Sequence, residues 1–450
     1  MTGSVRAEGI VEGRLSKVDY DANFSDIHPP LSRHEAFVES DRCYFCHDAP
    51  CQKACPTSID IPLFIRQIAN SNEIGAAETI LNANILGGMC ARVCPTETLC
   101  EEACVREHSE GKPVKIGLLQ RHATDALLDA GKQPFRRAEP TGKKVAVIGG
   151  GPAGLACAHK LAEFGHSVTI FEAKHVLGGL NEFGIAAYKS TENFAQREVD
   201  FVLSIGGIET KTGQSLGVDF EIGQLRGEYD AVFVGTGLSA VNKLGLSGED
   251  DLTGVIDAVD YISKLRQSKD LSKLPVGRNV VVIGGGMTAI DIAVQSKKLG
   301  AEHVTVVYRR GQDQMKASAY EQHLAQMSGV ALLTWARPSE LIGDKGKLTA
   351  VRFAETAENA GQLVDAGGTF TLPADMVFTA IGQLFVADGV GGAQPLALSG
   401  GRIVVDQERK TSVSGVWAGG DCVAGGQDLT VSAVEDGKQA AFSIHRALSV

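Results

Sequence analysis

The chain has 450 residues, and its 43 basic and 54 acidic side chains give a net charge of −11. This length predicts about three domains, and 44% hydrophobic with 22% charged residues is typical of an ordinary globular protein. The acidic surplus argues against binding to nucleic acid or to an anionic membrane. No apolar run reaches the roughly 18 residues that a spanning helix needs, and the N-terminus lacks a signal-peptide core. We therefore expect a cytoplasmic protein.

Cysteines dominate the first third of the chain, where eight of the ten lie. A secreted disulfide framework is small and usually carries a signal peptide, so these cysteines predict a metal site instead. They follow the patterns C-x2-C-x4-C-x3-C-P and C-x3-C-P-x4-C-x3-C, formed by Cys43, Cys46, Cys51, Cys55 and by Cys90, Cys94, Cys100, Cys104. Thiolates at these spacings suit zinc or iron–sulfur clusters, and the compressed run before a proline favours [4Fe–4S] clusters.

In two-cluster ferredoxins the cysteine before the proline binds the other cluster. By that logic Cys55 leaves the first group and a late cysteine such as Cys104 replaces it.

Gln120 follows the cysteines in a helical pattern. It shares a face with Ile116, Ala123 and Leu127 by three- and four-residue spacing, so we expect it to point inward. A buried amide needs a partner, which is either backbone or a metal cluster. Cys90 is the rival ligand. A linker with two prolines, KQPFRRAEPTGKK, then ends the cysteine region.

Strands alternate with helices from Lys144 onward, as in dinucleotide-binding domains. Directly after the strand VAVIG, a G-x-G-x-x-G turn predicts a site for a pyrophosphate at a helix N-terminus. Glu172 ends the next strand and is placed to bind a ribose 2′-OH. The positions assigned to this first nucleotide are Gly149, Gly151, Pro152, Ala153, Gly154, Glu172, Gly179 and Leu180.

The same strand–turn–helix unit recurs at residues 279–310. Its turn has the G-x-G-x-x-A form, with Gly284, Gly286, Thr288 and Ala289 as predicted contacts. The strand that follows ends in Arg309 and Arg310 instead of a carboxylate. Arginine suits a 2′-phosphate, which favours NADP over NAD. Alternatively, both arginines are solvated surface residues.

Later segments indicate that the first nucleotide is FAD. Asp421 follows a strand and a glycine pair, where its carboxylate could accept hydrogen bonds from a ribitol hydroxyl. The next segment predicts a helix whose N-terminus faces the flavin pyrimidine. Two strand-to-glycine segments, at 231–237 and 376–382, look like crossings between an FAD domain and an inserted NAD(P) domain. These segments add Gly237, Ala380, Gly382, Gly420, Asp421, Thr430 and Val431 to the predicted cofactor contacts.

The nucleotide-binding region resembles the two-dinucleotide-binding flavoprotein reductases. Some of these reduce disulfides through a pair of nearby cysteines. Here Cys157 and Cys422 are isolated, and neither has a CxxC partner. We therefore interpret both as buried thiols without a catalytic role.

The cysteine patterns and both nucleotide units together resemble the family of dihydropyrimidine dehydrogenases and glutamate synthase small subunits, over nearly the entire chain. The resemblance implies two clusters, with Cys90 unligated. Their implied ligands are Cys43, Cys46, Cys51 and Cys104 for one cluster, and Cys55, Cys94, Cys100 and Gln120 for the other. Lys189 stands where the family often has an arginine after the flavin glycines, and it could meet a pyrophosphate as a point charge.

The fold class that we predict is α/β, with two Rossmann-like dinucleotide-binding domains preceded by an α-helical iron–sulfur domain. The boundaries are residues 1–140 for the helical domain with two [4Fe–4S] clusters, 141–255 and 376–450 for the FAD domain, and 256–375 for the NAD(P) domain. In such a chain NAD(P)H reduces FAD, and the clusters carry single electrons onward. No catalytic side chain is required.

The family resemblance also implies a partner. Little chain follows the last predicted helix, so we expect the electrons to leave for a second subunit that carries FMN and reduces uracil or thymine. A glutamate synthase large subunit is the alternative acceptor, and a ferredoxin is a third. A module that senses NAD and holds zinc in the cysteine region is the alternative from a different class. Three questions stay open at this point. They are whether the coenzyme is NAD or NADP, which partner accepts the electrons, and whether Gln120 or Cys90 binds the second cluster.

Overall fold

The computed structural model describes residues 6–390 and 395–449. The helices are α1 Lys17–Asn23, α2 Arg33–Asp41, α3 Pro50–Ala54, α4 Ile61–Ala69, α5 Glu73–Ala83, α6 Gly87–Val93, α7 Val105–Glu110, α8 Ile116–Asp129, α9 Pro152–Glu163, α10 Leu180–Phe183, α11 Phe194–Leu203, α12 Ile222–Glu228, α13 Ala258–Gln267, α14 Met287–Lys298, α15 Ala319–Met327 and α16 Thr430–Leu448. The strands are β1 Lys144–Ile148, β2 Ser167–Glu172, β3 Ile208–Thr212, β4 Ala231–Val234, β5 Ala240–Val241, β6 Val255–Asp257, β7 Asn279–Ile283, β8 His303–Val307, β9 Ala331–Leu333, β10 Ala336–Asp344, β11 Lys347–Asn359, β12 Gln362–Pro373, β13 Met376–Thr379, β14 Gln383–Leu384, β15 Leu398–Ser399, β16 Arg402–Ile403 and β17 Val416–Ala418.

The chain forms two compact units. The main unit comprises His28–Glu182, Glu192–Ala240 and the residues from Leu384 onward. The inserted unit comprises the residues up to Ile27, Phe183–Thr191 and Val241–Gln383. The cysteine-bearing helices thus belong to the same unit as the first glycine turn. The division into four parts that we drew from the sequence stays a prediction.

The sheet of the main unit is parallel, with strand order β17–β4–β1–β2–β3. Its central strands β1 and β4 are apolar and buried, as expected of a parallel sheet that is covered on both faces. The strand β17 returns late in the chain and pairs with β4. The carboxyl ends of β1, β2, β4 and β17 therefore meet along one edge, which is where this fold binds nucleotides.

The sheet of the inserted unit is also parallel, in the order β6–β13–β7–β8–β9. An antiparallel sheet of β10, β11 and β12 extends this unit. The strand β13 pairs with both β6 and β7, so it belongs to the inserted unit. The sequence predicts that the FAD domain resumes at residue 376, ahead of this strand, because the apolar run at 376–379 resembles the one at 231–234.

One hydrophobic core of the main unit runs from the cysteine-bearing helices to the sheet. It includes side chains of α4, α5, α8, β1, α9, β4 and α16, among them Ile65, Ile80, Leu119, Val145, Leu161, Phe233 and Ile444. α4 begins with the side chain of Asp60 capping Leu63 N and with Pro62 in its first turn, both typical start signals. The helices that carry the cysteines are therefore packed against the expected flavin domain.

None of the described helices combines the length and the apolar character that a bilayer crossing requires.

Candidate cofactor sites

The first glycine turn joins β1 to α9 at the edge of the main sheet. Gly149 has a φ of +100°, and a Cβ there would lie 2.3 Å from the carbonyl oxygen of Gly235. A Cβ on Gly154 would lie 1.9 Å from the carbonyl oxygen of Gly149. Only glycine fits at these two positions, because helix and strands come closest there. Gly151 is the N-cap of α9 and makes no side-chain capping bond, so the N–H groups of Ala153 and Gly154 in the first turn face an anion site. Pro152 has no N–H and occupies the first helical position, where none is needed.

Glu172 lies against this turn from the end of β2. Its Oε2 accepts a hydrogen bond from Gly150 N at 2.7 Å, and its Oε1 accepts one from Lys174 N at 2.8 Å. These bonds fix the carboxylate, and each oxygen keeps a lone pair for a ribose hydroxyl. Gly179 contacts the same turn, since a Cβ on it would lie 2.7 Å from the Cα of Gly151, and Leu180 follows as the first residue of α10.

Asp421 lies on the other side of this edge, after β17. Its Oδ1 would be 3.3 Å from a Cβ on Gly237, and Gly420 adopts a φ of +87°. Burial, and then the charge of Asp428, raises the pKa of Asp421 to about 6. A carboxyl group of this kind gains from a hydroxyl that hydrogen-bonds to its charged form. Its position is suited to the flavin ribitol.

The helix α16 begins at Thr430, as the sequence predicts. Its N-cap, Leu429, offers no side-chain hydrogen bond, so the N–H groups of Thr430 and Val431 remain for a ligand. Thr430 Oγ1 donates to Asn181 Oδ1 at 2.7 Å, which ties α16 to α10. Within the described residues the buried Thr236 Oγ1 has no hydrogen-bond partner. A buried hydroxyl of this kind fits a site whose ligand supplies the missing partner, so the residues at this edge fit FAD.

Sequence analysis missed Asp436, which lies inside α16. Its Oδ2 accepts a hydrogen bond from Gly420 N at 2.9 Å, and its Oδ1 pairs with Arg409 at 2.5 Å. The carboxylate therefore holds the glycine that precedes Asp421. The neighbouring Gly437 was the signal in the sequence that this part of α16 is closely packed. A Cβ on Gly437 would lie 2.0 Å from the carbonyl oxygen of Ala153, so the lack of a side chain lets α16 approach α9.

Four of the predicted cluster ligands surround one pocket. Cys43, Cys46, Cys51 and Cys104 line this pocket together with apolar side chains such as Ile61. Burial, and then the neighbouring Cys43, raises the pKa of the Cys51 thiol to about 12. Four soft thiol donors around an apolar cavity fit an iron–sulfur cluster, which binds them as thiolates.

The second set of predicted ligands lies around Cys94. A hydrogen bond with Cys90, then burial and the nearby Cys100 and Cys55, holds the pKa of the Cys94 thiol well above its usual range. Cys55, Cys94 and Cys100 are therefore neighbours, and so is the rival Cys90. Gln120 is buried on α8, on the face expected from its spacing. Its Nε2 donates to the carbonyl oxygen of Gly87 at 2.7 Å, which leaves its Oε1 as the donor atom for a metal.

Across residues 6–390 and 395–449, no group of three or more histidine, cysteine, aspartate or glutamate side chains is arranged to hold one metal ion. All ten cysteines are free thiols. Cys157 and Cys422 are both fully buried, in line with the interpretation that neither is a redox thiol.

The second glycine turn joins β7 to α14 in the inserted unit. A Cβ on Gly284 would lie 2.2 Å from the carbonyl oxygen of Ala380, so the turn packs against the end of β13. Gly286 is the N-cap of α14, without a side-chain capping bond, and no atom lies within 4 Å of its Cβ position. Thr288 lies in the first turn of α14, and Ala289 is buried. Gly382, with a φ of +100°, follows at the same edge. These positions fit a second pyrophosphate.

Arg309 and Arg310 follow β8 at the same edge of the sheet. Both side chains are exposed. Their backbone is fixed, because Thr356 Oγ1 donates to the carbonyl oxygen of Arg309 at 2.8 Å and Trp335 N donates to that of Arg310 at 3.1 Å. A fixed backbone with two solvent-facing guanidinium groups is compatible with a 2′-phosphate contact.

Lys189 lies in the inserted unit. Its Nζ is 2.7 Å from Asp291 Oδ1 and 2.7 Å from Glu321 Oε1. These two carboxylates outweigh burial and raise the pKa of Lys189 above its usual range. The ammonium is thus held by protein groups, and its contact with a pyrophosphate stays a prediction. This ion triad could not be predicted from the sequence, because its members come from three distant segments.

Comparison with known proteins decides the family. Residues 143–437 match the family described as pyridine nucleotide-disulphide oxidoreductase, and residues 20–132 match dihydropyrimidine dehydrogenase domain II, 4Fe-4S cluster. The NAD-dependent dihydropyrimidine dehydrogenase subunit PreT of Escherichia coli K12 is 35% identical over 94% of this chain and 97% of its own length. The chain belongs to the pyridine nucleotide-disulphide oxidoreductase family. The glutamate synthase [NADPH] small chain of E. coli K12 is 34% identical over 95% of this chain and 94% of its own length.

Two solved members of the oxidoreductase fold are similar to this chain. Mycobacterium tuberculosis FprA in complex with NADPH gives a TM-score of 0.57 at 19% identity, over 69% of this chain and 85% of that one. T. acidophilum thioredoxin reductase gives a TM-score of 0.53 at 21% identity, over 68% of this chain and 100% of that one. The predicted fold class and the predicted NAD(P)-dependent flavin and iron–sulfur oxidoreductase class are confirmed. The number of clusters, the individual ligands and the domain limits stay predictions.

Proposed function

We propose that this chain is the electron-input subunit of a bacterial dihydropyrimidine dehydrogenase. It takes hydride from NAD(P)H onto FAD and passes single electrons through two [4Fe–4S] clusters to a partner subunit. The partner carries FMN and reduces uracil or thymine. The name of the E. coli relative PreT supports this acceptor, as does the match of residues 20–132 to an iron–sulfur domain of dihydropyrimidine dehydrogenase.

The observation that carries the proposal is the shared core of the main unit. The cysteine-bearing helix α6 packs against α11 and α16, and Lys438 Nζ of α16 donates to the carbonyl oxygen of Ala83 at 2.7 Å. Thiol ligands and flavin-binding residues therefore belong to one packed body. Such packing keeps donor and acceptor at a fixed separation without any domain movement, as electron transfer between bound cofactors requires.

The side chains of the main unit hold the cofactors and exclude water. FAD, when bound, accepts a hydride as an electron pair and releases electrons singly. Glu172 fixes a ribose through its carboxylate, and Asp421 accepts a hydrogen bond from the ribitol. The first turn of α16 directs its N–H groups and the positive end of its dipole to the flavin pyrimidine. The cysteines supply thiolate ligands, with Cys43, Cys46, Cys51 and Cys104 for one cluster and Cys55, Cys94, Cys100 and Gln120 for the other.

The first cysteine group is the electron exit in this proposal. Cys43, Cys46 and Cys51 are only partly buried. Close to them lie exposed apolar side chains, with Tyr44 54% and Val105 38% exposed. Apolar surface beside a redox group suits the buried centre of an interface. The partner subunit would contact the chain there.

Reconstitution with a partner tests the function. The purified chain is mixed with the dihydropyrimidine-forming partner and uracil, or with a glutamate synthase large subunit, glutamine and 2-oxoglutarate, and NAD(P)H oxidation is followed. We expect stimulation with the first pair and about eight iron atoms per chain, four for each cluster. Stimulation only by the second pair would assign the chain to glutamate synthase instead, a candidate that its 34% identity to the E. coli small chain favours.

Coenzyme choice gives a second prediction. We expect Arg310→Ala to raise the KM for NADPH by about tenfold and to leave the KM for NADH nearly unchanged, because an exposed charge contact with a 2′-phosphate is worth roughly 1.4 kcal/mol. Steady-state kinetics with both coenzymes and a dye acceptor measure the effect. Arg337→Ala is a matched control, since that arginine lies in the same unit and pairs with Asp365. Equal changes for NADPH and NADH would mean that Arg310 does not contact the phosphate.

A further inference from the structure

A buried carboxylate from α11 caps the helix that carries Cys90 and Cys94. Glu198 Oε1 accepts hydrogen bonds from Gly88 N at 2.8 Å and from Met89 N at 3.1 Å. The N-cap of α6, Leu86, has no side chain able to do this. Glu198 is only 1% exposed. The start of α6 is therefore held by a carboxyl group that lies 110 residues away in the sequence.

The fit between α11 and α6 is close. A Cβ on Gly88 would lie 2.6 Å from Phe194 Cζ and 2.8 Å from Glu198 Oε1. The neighbouring Gly87 presents its carbonyl oxygen to Gln120 Nε2. The first turn of α6 is thus fixed from one side by Glu198 and from the other by a predicted cluster ligand.

We propose that Glu198 is a positioning residue that orients α6 and sets the redox potential of the iron–sulfur group bound by Cys94. This inference rests on the proposed second cluster. Glu198 does not belong to the ligand set. It acts through the backbone of Gly88 and Met89 and, when ionised, through its charge, which is buried beside the same helix. A negative charge there disfavours the arrival of an electron and lowers the potential.

The charged groups that face Glu198 from α6 and α8 form a network of their own. Arg92 of α6 lies over the ring of Phe194, 3.3 Å from its centroid, and pairs with Asp125 of α8 at 2.8 Å. Asp125 also pairs with Arg121 at 3.3 Å. Asp125 is thus shared between two arginines, so Arg92 keeps part of its positive charge and offsets in part the charge of an ionised Glu198.

The other helix packed on α11 is α9, and it adds little charge. Burial lowers the pKa of His159 to about 3, so this imidazole is neutral. Lys160 pairs with Glu163 at 2.5 Å. Burial is the largest influence on Glu198 and raises its pKa to about 8, against the hydrogen bond from Met89 and the charge of Arg92. Glu198 consequently changes charge within an accessible pH range.

The sign of the pH effect follows. Below about pH 8 Glu198 is mainly protonated and neutral, so the potential is at its higher value. Above that pH the carboxylate is ionised and the potential is lower. For a one-electron couple the slope in the transition approaches 59 mV per pH unit, which is the value for a tenfold change in concentration. Glutamine at this position keeps an oxygen for Gly88 and Met89 but cannot ionise.

The test is a redox titration of the reconstituted full-length chain between pH 6.5 and 9.5, followed by electron paramagnetic resonance. We expect one iron–sulfur signal of the wild type to fall in potential as the pH rises, and Glu198→Gln to abolish this fall. The two proteins should coincide at low pH and separate above pH 8. Asp129→Asn is the matched control, because Asp129 is 68% exposed and pairs with Arg197, next to Glu198 in sequence. It should follow the wild-type curve.

Each result decides the inference. A wild-type potential that is independent of pH overturns it, even if Glu198→Gln does not fold. Identical curves for the wild type and Glu198→Gln overturn it as well, and a loss of iron without a change in potential reduces Glu198 to a structural cap. A chain that binds no iron–sulfur cluster at all contradicts the proposed function instead, so the two failures are distinguishable.

Discussion

Replacing Cys46 with serine is expected to abolish electron delivery to the partner while NAD(P)H still reduces the flavin. Cys46 lies in the pocket with Cys43, Cys51 and Cys104, and loss of one of four thiolates removes the cluster that we propose as the exit. Iron should fall from about eight to about four atoms per chain. The partner-linked rate should fall more than about 100-fold, since even residues that only support a metal ligand are worth about 10- to 100-fold.

Dye reduction by NAD(P)H separates this effect from general damage. A dye takes electrons from the flavin directly, so the dye-linked rate of Cys46→Ser should stay close to that of the wild type. Cys157→Ala is the control, because Cys157 is a fully buried thiol of α9 that belongs to neither group of predicted cluster ligands. It should keep its iron and its partner-linked rate. Full iron in Cys46→Ser would show that this cysteine is not a ligand, and a parallel loss of dye reduction would indicate misfolding.

The local part of the flavin site could be predicted from the sequence. Gly149 and Gly154 are separated by five positions, and their strand, turn and helix follow one another without interruption. A short motif of this kind carries its own geometry, because the close approach of helix and strand admits no side chain. The burial of Gln120 could be predicted for a similar reason, since helical spacing alone puts this side chain on the buried face of α8.

Contacts between distant segments could not be predicted. Lys189 and Glu321 are 132 residues apart, and Glu198 and Gly88 are 110 residues apart. Nothing in the local pattern of a lysine or a glutamate states which distant backbone it will meet. In the sequence, both side chains look like ordinary polar positions. Only the folding of each unit brings the distant partner close to its side chain.

The domain limits show a related difficulty. The strand β13 has an apolar pattern like that of β4, with Gly235 directly after β4 and Gly382 three residues after β13. Strands that are buried on both faces lack an alternating pattern, so their sequences do not reveal which sheet they join. Only the pairing of β13 with β7 assigns it to the inserted unit.

The replacement Gly154→Ala is expected to remove FAD from an otherwise folded chain. The added Cβ would lie 1.9 Å from the carbonyl oxygen of Gly149 and 3.2 Å from Val147 Cγ1. Gly149 has little room to retreat toward Gly235, whose carbonyl oxygen lies only 2.3 Å from the position of a Cβ on Gly149. The turn that holds the pyrophosphate must therefore shift, at a cost of about 3 kcal/mol, which corresponds to a loss of roughly 100-fold in affinity for FAD.

Flavin absorbance per chain and a fluorescence titration with FAD measure this effect, and iron content reports whether the cysteine helices remain folded. Gly223→Ala is the matched control, because no atom lies within 4 Å of its Cβ position in α12. Alanine there should stabilise the helix by about 1 kcal/mol and leave the flavin in place. Because both substitutions add the same methyl group to the main unit, their opposite effects would trace the loss of FAD to the crowded turn. Wild-type flavin content in Gly154→Ala would mean that the first glycine turn does not hold the pyrophosphate, and the assignment of FAD to the main unit would fail with it.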